Sequence, residues 1–479
     1  MATYISGLCL PTAMLSTGVP YNVTTIEQLT ADIAALNAIL DNTCVTPEPP
    51  RAGLELTWDD IANSPFATFG DLNTFINGNG GAANYTSVEV VGNVQTFYGG
   101  TAVDLGDGFM ASDANIVSIR DDAFQVVEQG DNGQNGCLIL ETIALPALVT
   151  QGGNCQSNNA ALTSLNLQAL TTQVTGNQTG NATLPFISLP LLATQTNYNQ
   201  SNNALCTAVT LPSLATQTGA KNLGNQSSNA SLLSISMPSL TTQVTENQRD
   251  NAVLPTISLP ALTTQTNDNQ SGNAALTTIS LPNLTTQAGG NQSNNALLTS
   301  VSLPVLATQG NSNQTSNASI VTLTLPALTT QSSLNQNTNA LMTSLSLPVL
   351  ATQDDENQSH NASLVTLTLP ALTAQVSTNQ NDNTLLTSIT ANLLTIQNNG
   401  NQSNNPALTT FTANTLATQI NGNQTNNTLQ TTITTPALTS IGTGNYAGCT
   451  YNIMTINVDA SLFGAADILL AQAGGATII

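Results

Sequence analysis

The sequence predicts an all-β protein dominated by a parallel β-solenoid of 22-residue repeats, with a short N-terminal helix and a globular cap at each end. Three observations lead there. The glutamine that closes each Thr-Thr-Gln or Ala-Thr-Gln recurs at Gln151, Gln173, Gln195, Gln217 and Gln243, and onward to Gln419; the step is 22 residues except from 217 to 243, where it is 26. Two apolar columns keep the same register, one through Leu148, Leu170, Leu192 and Leu214, the other through Ile143, Leu165, Ile187 and Val209. Each unit also holds a stretch such as Leu276-Thr277-Thr278-Ile279-Ser280-Leu281, which alternates apolar and polar residues and runs into Pro282. Self-similarity at a fixed short period is the mark of a stacked array.

Composition narrows the function before any motif is sought. The 479 residues include 4 Lys+Arg against 26 Asp+Glu, a formal charge of −22, and one His. So few cations cannot neutralise a phosphate backbone or attract an anionic membrane. No apolar run approaches the ~20 residues of a spanning helix. With one His, acid–base catalysis has little to work with. The expectation is a chain that is not an enzyme and needs no cofactor.

Along the chain, residues 1–46 form the N-terminal segment. Met1 to Pro11 lack the basic and apolar regions of a secretory signal. Over 24–42, Thr24 and Glu27 make a capping box, and Ile26, Leu29, Ile33, Leu36 and Leu40 step by three and four. That seam fits either a docked amphipathic helix or a short coiled coil that makes a homo-oligomer, with a trimer favoured. The proline-rich stretch 46–50 is a stiff linker.

Residues 47–136 are the expected N-terminal cap, with Trp58, Phe66, Phe69, Phe75, Phe97 and Tyr98 as its aromatic content. Within it, Ser87–Gly99 alternates on either side of Gly92-Asn93, a hairpin signal. The solenoid spans 137–441. A unit this short buries its apolar face only against its neighbours, so the strands stack in parallel at ~4.8 Å, giving some thirteen coils. Prolines such as Pro146, Pro190 and Pro212 end the strands, since they cannot donate to a ladder. Polar residues repeat too: Asn159, Asn181 and Asn203 at one register, Asn177 and Asn199 at another, with Gln178 and Gln200 beside them. Columns so regular are expected indoors, as hydrogen-bonded ladders that satisfy turn backbone. Sequons within them, such as Asn177-Gln178-Thr179 and Asn291-Gln292-Ser293, would then be closed to a glycan. Residues 442–479 are the C-terminal cap, ending in an apolar helix-like run over 460–471.

The stretches "LTTISLPNLTTQ" (Leu276–Gln287) and "MTSLSLPVLATQ" (Met342–Gln353), followed by units such as "NQSNNA", resemble the leucine-rich repeats of BspA-like surface proteins and receptor L-domain-type solenoids. The resemblance covers about 116–441, with "NIVSIRDDAF" (Asn115–Phe124) similar to the first coil of such arrays. These repeats usually carry an apolar residue where this chain has Gln265 and Gln287. What the resemblance implies is an adhesive or interaction protein at a cell or virus surface.

Chemistry-bearing residues are few. The six cysteines make no CxxC pair and read as buried or unpaired thiols. Asp354-Asp355-Glu356 and the Asp104–Gly108 stretch are thin candidates for calcium, which needs six or more oxygens. His360 sits in a turn. The variable positions after each Gln and Asn-Gln, among them Tyr198, Asp268, Asp354, Asp355, Glu356 and His360, are the candidate receptor-binding residues, because solenoid turns face solvent and bind.

The leading expectation is a receptor-binding fibre or spike on a virion, a phage being favoured, that binds a neutral host-surface glycan or a protein receptor. Its N-terminus would meet other virion proteins. The alternative is a bacterial cell-surface adhesin. A third reading, an ice-binding rod, rests on the Thr column at Thr216, Thr242, Thr264 and Thr286, whose companion column alternates Thr and Ala.

Overall fold

The computed structural model describes residues 117–121, 126–442, 444–449 and 455–457 in full, and the strand backbone at Glu55–Leu56, Ser87–Val90, Val103–Asp104 and Thr477–Ile478. The helix expected over 24–42 with its Ile26, Leu29, Ile33, Leu36 and Leu40 seam lies outside these residues. So do the linker, the aromatics named for the N-terminal cap and the 460–471 run.

Every regular element among the described residues is a strand, and all inter-strand pairing between named strands is parallel. Each coil contributes two short strands and a third, strandless leg. The first strand is the Thr-Ile-Ser type, as in Thr278–Ser280, with its middle residue buried and its outer two exposed. A turn closed by Leu284 N–H donating to Leu281 C=O at 3.3 Å follows, with Pro282 at the second position, where a fixed φ is favourable. The second strand is the Thr-Gln type, as in Thr286–Gln287, with its glutamine indoors. These Thr-Gln strands form one continuous 16-stranded sheet from Val103–Asp104 to Ser440–Ile441, more ranks than the thirteen coils expected.

Register follows from the repeat: Ile279 pairs with Val301, and Gln265 with Gln287. Each leucine of the apolar columns therefore packs on its own kind above and below. Leu148, Leu170, Leu192 and Leu214 are fully buried, each contributing about 1.5–3 kcal/mol by burial. The four extra residues between Gln217 and Gln243 are absorbed as a small loop bridged at Ala220 and Leu223, and the sheet runs through them unbroken. Glycine is obligatory there: a Cβ on Gly224 would lie 1.6 Å from the Glu246 carbonyl oxygen.

Two departures from expectation concern strand pairing. Ser87–Val90 is a strand, but its partners are Glu55–Leu56 on one side and Ser118–Asp121 on the other, both parallel. The rest of the hairpin expected across Gly92-Asn93, residues 91–99, lies outside the described residues. The Thr-Ile-Ser sheet is also interrupted, before Phe186–Ser188, before Thr256–Ser258 and before Ser344–Ser346. Pro185 and Pro255 explain the first two. Elsewhere the residue at that position, such as Thr277, donates its N–H to the preceding coil's carbonyl (Pro255 O, 2.9 Å), and proline has none to give. Nothing in the structure explains the third.

Candidate functional site

The third leg carries the polar columns. From Asn177 to Asn427 it reads x-Asn-Gln-x-x-Asn in every coil, and its backbone is left-handed at alternate residues: Tyr198 (φ 60°), Gln200 (52°) and Asn202 (55°) in one coil, Asp268 (56°), Gln270 (51°) and Gly272 (70°) in another. For a non-glycine residue this costs roughly 1–2 kcal/mol, so it persists only because other bonds hold it.

Those bonds are amide staples between coils. Asn273 takes the Asn251 backbone N–H on its Oδ1 at 3.0 Å and gives its Nδ2 to the Gln248 carbonyl at 2.8 Å. Asn269 does likewise for the Asn247 N–H at 2.9 Å. Beside them, two glutamine columns interlock: Gln292 Nε2 donates to Gln265 Oε1 at 2.7 Å and to Gln270 Oε1 at 2.9 Å. The expected buried ladders are present, and they bind backbone and side chain alike. The zipper has two gaps, Gln195 and Gln353, whose buried side-chain amides have no partner. Asn177 and Asn291 lie within the columns, with no room for a glycan; among the described residues, the sequon asparagines that reach solvent are Asn283 and Asn426.

The candidate receptor-binding residues line this leg. Tyr198, Asp268 and Glu356 share one column, half-buried, and are several coils apart. The register gives about 14 Å between Tyr198 and Asp268 at ~4.8 Å per coil. They form a row and not a pocket. Tyr198 Oη accepts from Asn202 Nδ2, and Asp355 accepts from Thr378 Oγ1. Asp354 and Asp355 are exposed. His360 occupies the column before the second Asn, with Nδ1 3.5 Å from Asp382 of the next coil. Among the described residues, no three His, Cys, Asp or Glu side chains gather as metal ligands do.

Sequence reading passed over the outer face of the Thr-Ile-Ser strands. From Ser234–Ser236 to Thr432–Thr434, both outer positions of every strand are Ser or Thr. At the third sheet interruption a shallow groove of about 340 Å³ opens between Val321–Leu325 and Ser344–Ser346. The signal was in the sequence: the positions either side of the second apolar column are hydroxylic throughout.

In comparisons with known proteins, no family model and no curated protein matches the chain. Solved structures do. A leucine-rich repeat protein from Bacteroides ovatus is similar over 74% of this chain and 87% of its own, at 14% identity and a TM-score of 0.47. A leucine rich cell surface protein from Faecalibacterium prausnitzii is similar over 71% and 83%, at 12% identity and a TM-score of 0.22. The TLR13–ssRNA13 complex is similar over 73% of this chain and 65% of that one, at 14% identity and a TM-score of 0.22. This chain is a parallel β-solenoid of 22-residue repeats. Its functional reading stands on its own residues.

The buried thiols are sealed. Cys137, Cys155, Cys206 and Cys449 are buried. Burial pushes Cys206 and Cys449 each up to about 11 from an ordinary 9.0, against a smaller lowering by a backbone hydrogen bond. An aromatic disulfide reagent at pH 8 should therefore leave Cys206 and Cys449 unmodified in the native solenoid and label them once it is denatured, as peptide mapping would show. A thiol with a raised folded pKa supports the fold fully below its unfolded value and loses that support through the folded one. The two cysteines should thus weaken the solenoid between pH 9 and 11.

Proposed function

We propose that the chain is a non-catalytic binding rod at a surface, and in its sharper form a receptor-binding fibre or spike of a virion. One observation carries this reading: the division of labour within each coil. Leucine, asparagine and glutamine columns are consumed in stacking, while the turn positions around them differ from coil to coil and present mostly neutral amides and hydroxyls. A rigid rod with a variable edge suits adhesion, where loops on a fixed scaffold do the recognising. The neutral edge and low cation count favour an uncharged host-surface glycan over an anionic polymer. The alternative reading, a bacterial surface adhesin, uses the same edge and differs in where the chain is anchored. Calcium at 354–356 is not needed for either.

The N-terminal segment completes the proposal as the site of homo-oligomerisation and of contact with other virion proteins. The full chain should then scatter light as a multiple of 49.3 kDa, and replacing Ile33 and Leu36 by Asp should return it to monomer.

Binding is tested by replacing Tyr198, Asp354, Asp355 and Glu356 with Ala and measuring adsorption to host cells. A several-fold loss at unchanged circular dichroism is expected. Unchanged adsorption would place recognition off this edge, and labelling of the bacterial envelope alone, with none on virions, would defeat the virion reading.

A further inference from the structure

The outer hydroxyls of the Thr-Ile-Ser strands have no structural task. In the run Thr256–Ser258, Thr278–Ser280, Ser300–Ser302 and Thr322–Thr324, both outer residues of every strand are exposed, and the strands pair in strict register. Among the described residues, none of these eight hydroxyls has a hydrogen-bond partner. Threonines elsewhere on the same coils do: Thr277 Oγ1 donates to Pro255 O and Thr285 Oγ1 to Thr263 O, each at 3.1 Å. The fold uses one set of hydroxyls to fasten coils and leaves the other pointing outward.

The array is regular in two directions, with ranks ~4.8 Å apart and columns about 6.6 Å apart along each strand. It bears no charge and no aromatic ring. The acids between Ser234 and Thr434 (Glu246, Asp250, Asp268, Asp354, Asp355, Glu356 and Asp382) stand on the asparagine leg instead. Beneath it, the amide zipper and leucine columns hold the ranks rigid.

We propose that this face binds ice. A soluble sugar is held in a concave site that covers most of it; this face has no ring to stack on, and the shallow groove beside Thr322–Thr324 lies at the end of the run. Each hydroxyl bond is worth only ~1 kcal/mol net. Such a face gains affinity from a solid partner whose own repeating hydrogen-bonding groups meet many ranks at once, as linked sites do. A hydroxyl rotates to donate or accept, so it matches an uncharged lattice made of water without demanding one orientation. The Thr column of the Thr-Gln face is single: its companion column is either tied down, as at Thr285, or Ala, as at Ala307.

The test is partition of the full chain into a slowly growing ice front, together with thermal hysteresis. The wild type should concentrate several-fold in ice over a non-binding acidic protein and shape the crystals. Thr278→Lys with Ser302→Lys, one change in each column at exposed positions, should bring partition down to the control with the fold intact by circular dichroism. Thr286→Lys on the Thr-Gln face should change nothing. Wild type excluded from ice like the control would overturn the proposal. So would equal loss from Thr286→Lys, or binding to a crystalline polysaccharide in place of ice.

Discussion

Gln265→Glu should cost the solenoid roughly 3–5 kcal/mol at pH 7, the usual penalty for an uncompensated buried charge. Gln265 is fully buried, and its amide is saturated. It donates to Gln243 Oε1 at 3.0 Å and to Gln270 Oε1, and accepts from Gln287 Nε2 at 3.2 Å and Gln292 Nε2 at 2.7 Å. A carboxylate there still accepts but removes one of the two donors that Gln243 Oε1 and Gln270 Oε1 each have, and sets a negative charge beside both oxygens. Burial raises its pKa in the fold. The deficit relative to wild type is therefore full at neutral pH and shrinks as pH falls toward an unfolded glutamate's value of about 4.3. Gln353→Met is the counter-case. The Gln353 amide is buried and unpartnered, so an apolar side chain of similar length should be neutral or stabilising by about 1–2 kcal/mol. Thermal melts of both variants across pH decide it; equal losses would mean that the zipper's bonds carry no weight.

Asn273→Ala should cost roughly 2–5 kcal/mol, because it orphans two buried backbone groups at once, the Asn251 N–H and the Gln248 carbonyl. Asn294→Ala, one residue before the next staple, is the comparison. Asn294 is exposed with φ 58°, so alanine there pays only left-handed strain of about 1 kcal/mol. Repeat arrays unfold coil by coil as readily as all at once. The Asn273→Ala loss should accordingly appear as faster amide exchange in the two coils it joins before the whole rod melts. A loss no larger than that of Asn294→Ala would deny the staple its role.

The stacking was legible in the sequence because identical residues at a fixed period must meet when coils stack. Ile279 on Val301 and Gln265 on Gln287 follow from counting alone. The buried asparagines were legible for the same reason, and so was the end of each strand at proline. Direction was not. Thr277 and Thr278 are the same residue one position apart, yet one hydroxyl is tied to the preceding coil and the other faces solvent, and only the three-dimensional path separates them. Ser87–Val90 was legible as a strand from its alternation, but its parallel neighbours were not, because they lie some thirty residues away on either side. Of the ranks beyond the thirteen counted, Val103–Asp104 and Ser440–Ile441 lack the closing glutamine, and Val126–Gln129 has it, 22 residues before Gln151, without the Thr that marks the later coils. The left-handed leg left a partial trace: the position before the second Asn is often Gly, Asn or Asp, as at Gly180, Asn202 and Asp250, whereas Gln200, Leu334 and Tyr198 are ordinary residues held there by bonds from adjacent coils.

Hydrogen exchange of the asparagine amides tests the central claim most directly, that buried side-chain amides fasten each coil to the next. The N–H groups of Asn247, Asn251, Asn269 and Asn273 lie in turns and donate to the asparagine Oδ1 of the following coil at 2.9–3.0 Å. They should exchange as slowly as the N–H groups of the Thr-Gln strands. Exchange within seconds at these positions, beside protected strands, would show an array held by its leucines alone.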